Sequence, residues 1–370
     1  MIYADNAATT KLDEEAYQAM IPYLCEKYGN PSQPYLFSRE TKKALKESRE
    51  IIADVICADP SEIYFTSGGT ESDNWAIKSN CKLHENKNEV ITSHIEHHAI
   101  LNSCNSLKQF GEKIKLLDVN EYGIVSEEKL SKAITDNTRL VSIMLANNEI
   151  GTIEPIKNLC EIAHECGIPF HTDAVQAVGH IDINVKTLGV DLLSASGHKF
   201  NGPRGIGFLY IRKGTSISPY FDGGAQEFGM RAGTENVPAI VAMAVALKRN
   251  NAQLKEYLIK MEQLENVFLN TLSKLNVSFI RNGINQLPGN VNISIKNAEG
   301  EMLMHRLDLM GICVSTGSAC DSKSTQLSHV IKAIKVPQNY AEGTLRISFG
   351  KYNTSQDAVD IAKAIAKIVR

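Results

Sequence analysis

Residues 194–204 of the chain read SASGHKFNGPR. They place one lysine, Lys199, directly after a Ser-Gly-His turn that closes the apolar run 191–194, and flank it with Gly197, Gly202 and Pro203. A strand that ends in a tight glycine turn keeps such a lysine close to buried backbone. Desolvation there lowers the pKa of an ammonium toward the neutral amine that attacks carbonyl carbons. Most lysines are simply solvated, so the meaning of Lys199 depends on what stands beside it in the fold.

Working outward, apolar and β-branched runs recur at 63–67, 89–93, 114–118, 140–145, 169–172 and 191–194, each followed by a helix-like or loop segment. That alternation predicts a largely parallel sheet with helices on its faces. A seventh run, 206–211, follows too closely for a crossover helix and is expected to be an antiparallel neighbour. Upstream, residues 1–15 read as an extended arm, 11–24 begin a helical pattern, and the turn-rich 28–38 precedes a helix over 39–56. Downstream, Leu254, Leu258, Met261, Leu264, Phe268 and Leu272 fall at three- and four-residue spacing, an amphipathic helix expected to bridge two domains. Strand-like 277–280 and 291–295, a helix over 299–310, strand-like 344–349 and a last helix from Ser355 complete a small α+β unit. The expected architecture is α/β, with a large, mostly parallel seven-stranded sheet domain over 16–250. A smaller α+β domain is expected from 1–15 and 251–370.

Hydrophobic residues make up 43% and charged residues 22% of the 370, with a formal net charge of -3, as in a globular protein with a sizeable core. The mixed signs leave no basic patch for nucleic acid. The longest apolar run, 238–247, is too short to span a bilayer, and MIYADNAATT has neither the basic nor the apolar region of a leader, so a cytoplasmic location is expected. None of the eight cysteines forms a CxxC pair. Cys25, Cys57, Cys81, Cys104, Cys160, Cys166 and Cys313 fall in apolar patterns and read as small core residues.

In an open parallel sheet ligands bind beyond the carboxyl ends of the strands, so the polar residues past each run can be compared. After 63–67 comes GGTES, where Gly68, Gly69 and Thr70 open a helix and offer backbone donors and a hydroxyl to a phosphate. After 89–93 comes HIEHHA. His94, His97 and His98 invite a metal reading, but no fourth ligand at suitable spacing follows. An imidazole there can instead stack on an aromatic ring and shuttle protons; His97 is favoured for that task, with His94 and His98 structural. After 140–145 comes ANNEIG, whose Asn147 and Asn148 can contact a cofactor oxygen or a substrate carboxylate. After 169–172 comes DAVQ, where Asp173 and Gln176 are expected on one face of a starting helix. Asp173 would keep a pyridine nitrogen protonated and Gln176 would bond a ring hydroxyl, while Ser196 and His198 flank Lys199 and can bind phosphate. Together these strand ends supply a site for pyridoxal 5'-phosphate, on which Lys199 forms a Schiff base and Asp173 supports the ring as an electron sink.

The stretches YADNAATT, FTSGGTESDN, EHHA, NNEIG, DAVQ, SGHKFNGPRG, RAGTEN, STGSAC and LRISFG occur in this order. On them, the chain resembles, over nearly its whole length, the cysteine desulfurases of the NifS and IscS type in the class V aminotransferase superfamily, fold type I. SGHK followed by GPRG is specific to the superfamily, and GSAC narrows it to the desulfurases. The resemblance implies a homodimer with its active site near the subunit boundary, Thr234 reaching the phosphate of the neighbouring subunit, and Arg346 binding the substrate carboxylate. It implies that L-cysteine becomes L-alanine, with Lys199 moving the Cα proton and Cys320 taking the sulfur as a persulfide for an acceptor protein. Such acceptors serve iron-sulfur cluster assembly or thiolation pathways. Cys320 stands in STGSACDSKST, a small and polar stretch that reads as a mobile loop suited to a carrier. Related aminotransferases and selenocysteine lyases share the cofactor residues and are the alternative reading. Gln33, Tyr35 and Ser38 replace the Ser, His and Gly common in the family, and Asp321 stands where a hydroxyl residue often follows the cysteine, so acceptor specificity does not carry over.

Overall fold

The computed structural model describes residues 1–79, 87–317 and 327–369. Its strands are β1 (Ile2–Tyr3), β2 (Ile63–Thr66), β3 (Glu89–Ser93), β4 (Lys113–Leu117), β5 (Thr138–Ser142), β6 (Phe170–Asp173), β7 (Leu192–Ser196), β8 (Gly207–Ile211), β9 (Phe279–Arg281), β10 (Asn290–Ile295), β11 (Ile312–Cys313) and β12 (Thr344–Ser348). Seven of them form the main sheet in the order β2-β8-β7-β6-β5-β3-β4. β3 to β7 pair in parallel, whereas β8 runs antiparallel to both β7 and β2. Between β7 and β8 lie only the 3-10 turn Gly197–Lys199 and a short loop. Without room for a crossover helix, the chain returns beside β7 in the opposite direction.

Successive residues on each strand divide between the two faces. Val90, Leu140, Leu192 and Leu209 pack with Trp75, Ile77, Ile100 and Leu107 from helices Gly69–Ser79 and His98–Leu107. Ile91, Val141, Leu193 and Phe208 face the larger core built on helices Arg39–Ile56, Ile156–Glu165 and Val237–Ala252. All eight strand residues are fully buried, which is why the runs read as continuously apolar rather than alternating.

A three-stranded antiparallel sheet, β12-β10-β9, and the parallel pair β1 with β11 lie outside the main sheet. Met261, Leu264, Phe268 and Leu272 of helix Leu254–Lys274 join Val291, Ile293, Leu345, Ile347 and Ala4 in a second core. Tyr257, near the start of that helix, bonds His180 at 3.0 Å and so touches the main-sheet side. Helix His329–Ala333 instead sends Val330 and Ile331 into the first core. Among the described residues no helix is long and apolar enough to cross a membrane.

Some local expectations are corrected. The run at 140–145 enters the sheet earlier, as β5; Ile143 and Leu145 still donate backbone bonds to His171 (3.1 Å) and Asp173 (2.9 Å) before the chain turns at Asn147. Residues 173–176 are the end of β6 and a turn, not a starting helix. There Asp173 Oδ1 accepts the Val175 N–H at 2.9 Å, an Asx turn that competes with helix formation. Cys104 and Cys160 are buried, but Cys25 and Cys166 are exposed because they end helices at the surface. Cys81 lies outside the described residues.

Gly207 sets how closely β8 approaches the turn after β2. A Cβ there would lie 2.4 Å from the Ala195 carbonyl oxygen and 2.7 Å from Gly68 Cα. Gly207→Ala is therefore expected to destabilise the fold by about 1–3 kcal/mol through overpacking. A urea titration reads this as a lower midpoint; an unchanged midpoint would mean that β8 accommodates the methyl group.

Candidate active site

The carboxyl ends of the main-sheet strands border one cavity of ≈ 220 Å³. Gly69 and Thr70 after β2, His97 after β3, Asn148 after β5, Asp173 at the end of β6 with Gln176 beyond it, and Ser196, His198 and Lys199 at the end of β7 all line it. Arg346 enters from β12 and Ala7 and Ala8 from the N-terminal arm. Ten of the residues read from the sequence thus meet around one space. Thr234 does not: it is exposed, in a segment that Arg231 ties to Glu71 by bonds of 2.8 and 3.1 Å. Cys320 and Asp321 lie outside the described residues.

Lys199 is placed by β7 and the turn that follows. Gly202 donates to the Gly197 carbonyl at 2.8 Å, and a Cβ on Gly202 would lie at the same distance from that oxygen, so the turn closes only around glycine. The lysine Nζ donates to the carbonyls of Ala7 (2.6 Å) and Ala8 (2.9 Å). Those oxygens orient the amine without neutralising it.

The cavity floor is acidic. Burial pushes the Asp173 carboxyl up to about 6, against the Val175 N–H and the Lys199 charge, which both favour its ionised form. Asp73, on helix Gly69–Ser79, is fully buried, and its Oδ1 has no hydrogen-bond partner among the described residues. Asp73, Asp173 and His97 bring one ligand-type atom each within 4.8 Å of one another. Two ionised carboxylates at such a separation repel by roughly 3 kcal/mol even at an effective dielectric of ~20. Beneath them His171 is held between Ser142 Oγ (2.8 Å) and Ser194 Oγ (3.0 Å), and burial pushes it down to about 3, so it is neutral.

The other candidates divide by what their polar atoms already hold. His97 Nδ1 accepts the Ala99 N–H at 3.1 Å and caps the helix His98–Leu107, and the residue lines the cavity. His94 lies 3.5 Å from the exposed Asp118, and His98 sits edge-on to His329 with ring centroids 4.9 Å apart. Asn147 is consumed by the fold, donating to Ile95 and accepting from the N–H groups of Glu149 and Ile150, whereas Asn148 lines the cavity. Gln176 donates to the Ala7 carbonyl at 3.0 Å. His198 bonds Thr9 at 3.1 Å; burial, with Lys199 and Arg204 nearby, pushes it down to about 4. Arg346 is buried, bonded to Asp5 (2.7 Å) and the Asn148 carbonyl (2.9 Å), with Nε left without a partner among the described residues.

These residues fit pyridoxal phosphate. One end of the cavity offers a helix N-terminus opened by Gly69, where a Cβ would strike Val175 at 2.5 Å, together with Thr70, Ser196 and His198 for a phosphate. The floor offers the Asp173 carboxyl for a pyridinium nitrogen, and the Lys199 amine projects from the wall. The histidine and two aspartates would also suit a small cation, but that leaves the amine and the glycine-edged helix end without a role. Asp73, Ala7, Ala8, Asp5 and Met144 were missed in the sequence. A usable signal existed for Asp73 alone, four residues past Gly69 and hence on the same helix face.

The chain matches the Aminotransferase class-V family over residues 2–361. It is 47% identical over 371 residues to "Cysteine desulfurase IscS" of Methanosarcina thermophila, covering all of this chain and 92% of that protein. A solved structure described as a NifS-like protein superposes with a TM-score of 0.94 at 39% identity, covering 100% of this chain and 99% of the other. Another, described as SspA in complex with cysteine, gives 0.85 at 35% identity, with 96% and 100% covered. With the lysine, aspartate and glycine-edged helix already converging on one cavity, this chain belongs to the class V aminotransferase family and, within it, to the pyridoxal-phosphate-dependent cysteine desulfurases.

Proposed function

We propose that the chain binds L-cysteine in the cavity above Asp173, releases L-alanine, and delivers the sulfur through Cys320 to an acceptor protein of iron-sulfur cluster assembly or a thiolation pathway. The observation that carries this reading is the convergence of Lys199, Asp173 and Arg346 on a single cavity. A neighbour of known structure that is described with bound cysteine supports the substrate.

Pyridoxal phosphate, when bound, supplies an aldehyde carbon for amines and a ring that accepts an electron pair from Cα. With the cofactor bound, Asp173 would hold a negative charge at the ring nitrogen, Gln176 would bond the ring hydroxyl, and His97 would stack on the ring. Gly69, Thr70, Ser196 and His198 would hold the phosphate, and in a homodimer Thr234 of the partner subunit would complete the shell. Arg346 takes the substrate carboxylate beside Asn148. Lys199 Nζ takes the Cα proton. The Cys320 thiolate then attacks the substrate sulfur: the Cβ–S bond breaks with its electron pair left on carbon, and an S–S bond forms on Cys320. Cβ takes a proton, Lys199 Nζ returns one to Cα, and alanine leaves. We assign the cofactor to residues 16–250 and the smaller unit to 1–15 with 251–370; the second core lies wholly within the smaller unit, while Val330, Ile331 and Ile334 of that unit pack into the first core. We also propose a cytoplasmic location for this chain, in which charged residues of both signs nearly balance.

Two variants test the chemistry together. Lys199→Ala is expected to lose the visible band of the bound cofactor and to slow alanine formation by about 10²–10⁴-fold. Cys320→Ala is expected to keep the band but release no sulfur from cysteine; a variant as fast as the parent would remove Cys320 from the pathway.

Arg346→Lys keeps the charge but loses the bidentate fork, a difference of about 1.5–3 kcal/mol for a charge-assisted pair. The KM for cysteine is expected to rise by roughly 10- to 100-fold with the cofactor spectrum unchanged, as steady-state kinetics would show.

The raised Asp173 carboxyl fixes the sign of a pH effect. Below about 6 it is protonated in the free protein and cannot hold a pyridinium. Affinity for pyridoxal phosphate, followed by absorbance titration, is expected to fall as pH drops through that value, and Asp173→Asn is expected to bind weakly at every pH.

A further inference from the structure

We propose that Asp73 is a positioning residue: it stands on the cavity floor as a neutral carboxylic acid beside Asp173, so that the pair carries one negative charge and Asp173 is the member that carries it. The inference rests on the cofactor reading for its purpose, because a pyridinium needs one well-placed carboxylate and a second charge beside it would disorder the choice.

Geometry makes the assignment. Asp73 is fully buried on the second turn of helix Gly69–Ser79, lines the cavity, and comes within 4.8 Å of Asp173. From β6 it meets Asp173 and His171, whose Nε2 is 3.8 Å from Oδ1; from β7, the Ser194 hydroxyl; and from the turn after β3, Glu96 and His97. Asp173, Glu96, the Ser194 hydroxyl and His171 bring no positive charge to Asp73. His171 is neutral because both of its nitrogens are engaged by serine hydroxyls in a dry interior. Glu96 is itself a buried carboxyl, occupied by Ser93 Oγ (2.6 Å) and the Met144 N–H. The Lys199 charge acts on Asp173, which also accepts the Val175 N–H, so the two aspartates are unequal. When two coupled acids differ in this way, the shared proton sits on the less supported one. Burial, then the Asp173 charge, pushes the Asp73 carboxyl well above the usual range, in line with the geometry. An ionised Asp73 would leave charge on Oδ1, a buried oxygen with no donor among the described residues, and burial penalises that form.

The test uses the full-length, cofactor-loaded protein with carboxyl-labelled aspartate, read by infrared spectroscopy. A protonated aspartate C=O band is expected in the parent at neutral pH and is expected to be absent from Asp73→Asn, which keeps the shape and a donor and should keep the visible cofactor band. No such band in the parent, or an undiminished band in Asp73→Asn, overturns the proposal. Thermal unfolding against pH gives a second readout. The unfolded chain ionises Asp73 above the ordinary carboxylate range while the folded chain retains the proton, so the parent loses stability as pH rises above that range. Asp73→Asn is expected to melt higher than the parent by a margin that grows with pH, and a margin independent of pH also overturns the proposal. If instead the cofactor reading were at fault, the parent would lack the visible band while its infrared band remained.

Discussion

The ammonium of Lys199, seated on the Ala7 and Ala8 carbonyls, is the contact on which the site depends. It joins the turn after β7 to the N-terminal arm, segments 191 residues apart in the chain. The arm is also fixed from the other side, since β1 pairs with β11 and Ala4 packs in the second core. The lysine therefore lies where both cores are tied to one strand end. A charged amine at such a place needs acceptors that orient it without trapping it. Carbonyl dipoles do this, whereas a carboxylate in contact would hold the proton on nitrogen and oppose its later use as a base.

Around that cation the interior holds a surplus of acids: Asp73, Asp173, Glu96 and Glu154 are all buried, and burial raises each of them. Most are satisfied by backbone or hydroxyl donors. Glu154 accepts the Val125 N–H and Glu96 that of Met144, so these two pin the loops behind the cavity. Asp173 is the exception with chemical reach, since it faces open space and the Lys199 charge. A floor that favours one carboxylate at one position keeps a pyridinium from shifting between partners.

The main sheet was legible because its strands are buried on both faces, leaving β-branched runs that glycine and polar turns punctuate. The antiparallel β8 followed from a connection too short for a helix. Within the site, residues at strand ends were legible for the same reason: topology alone brings strand ends together. The failures were of another kind. Asp73 reaches the cavity from a helix face, Ala7 and Ala8 contribute carbonyls rather than side chains, and Asp5 acts through pairing across 341 residues of sequence. The turn at DAVQ was misread because Asp173 bonds its own backbone two residues on, an alternative to helix that spacing does not reveal. Asn147 and Asn148 are indistinguishable in sequence, yet one closes a turn and the other faces the ligand space.

Arg346 shows how the site balances binding against turnover. A guanidinium buried without a counter-charge would be strongly destabilising, and Asp5 supplies one at 2.7 Å before any substrate arrives. An incoming carboxylate therefore meets a cation already paired on Nη2, and what it gains is the difference between sharing that cation and remaining in water. Such an arrangement selects for a carboxylate and fixes its direction, but it limits how tightly substrate and product are held. Because alanine carries the same carboxylate as cysteine, an arginine without Asp5 would hold both more strongly, so the pre-paired guanidinium favours release of product.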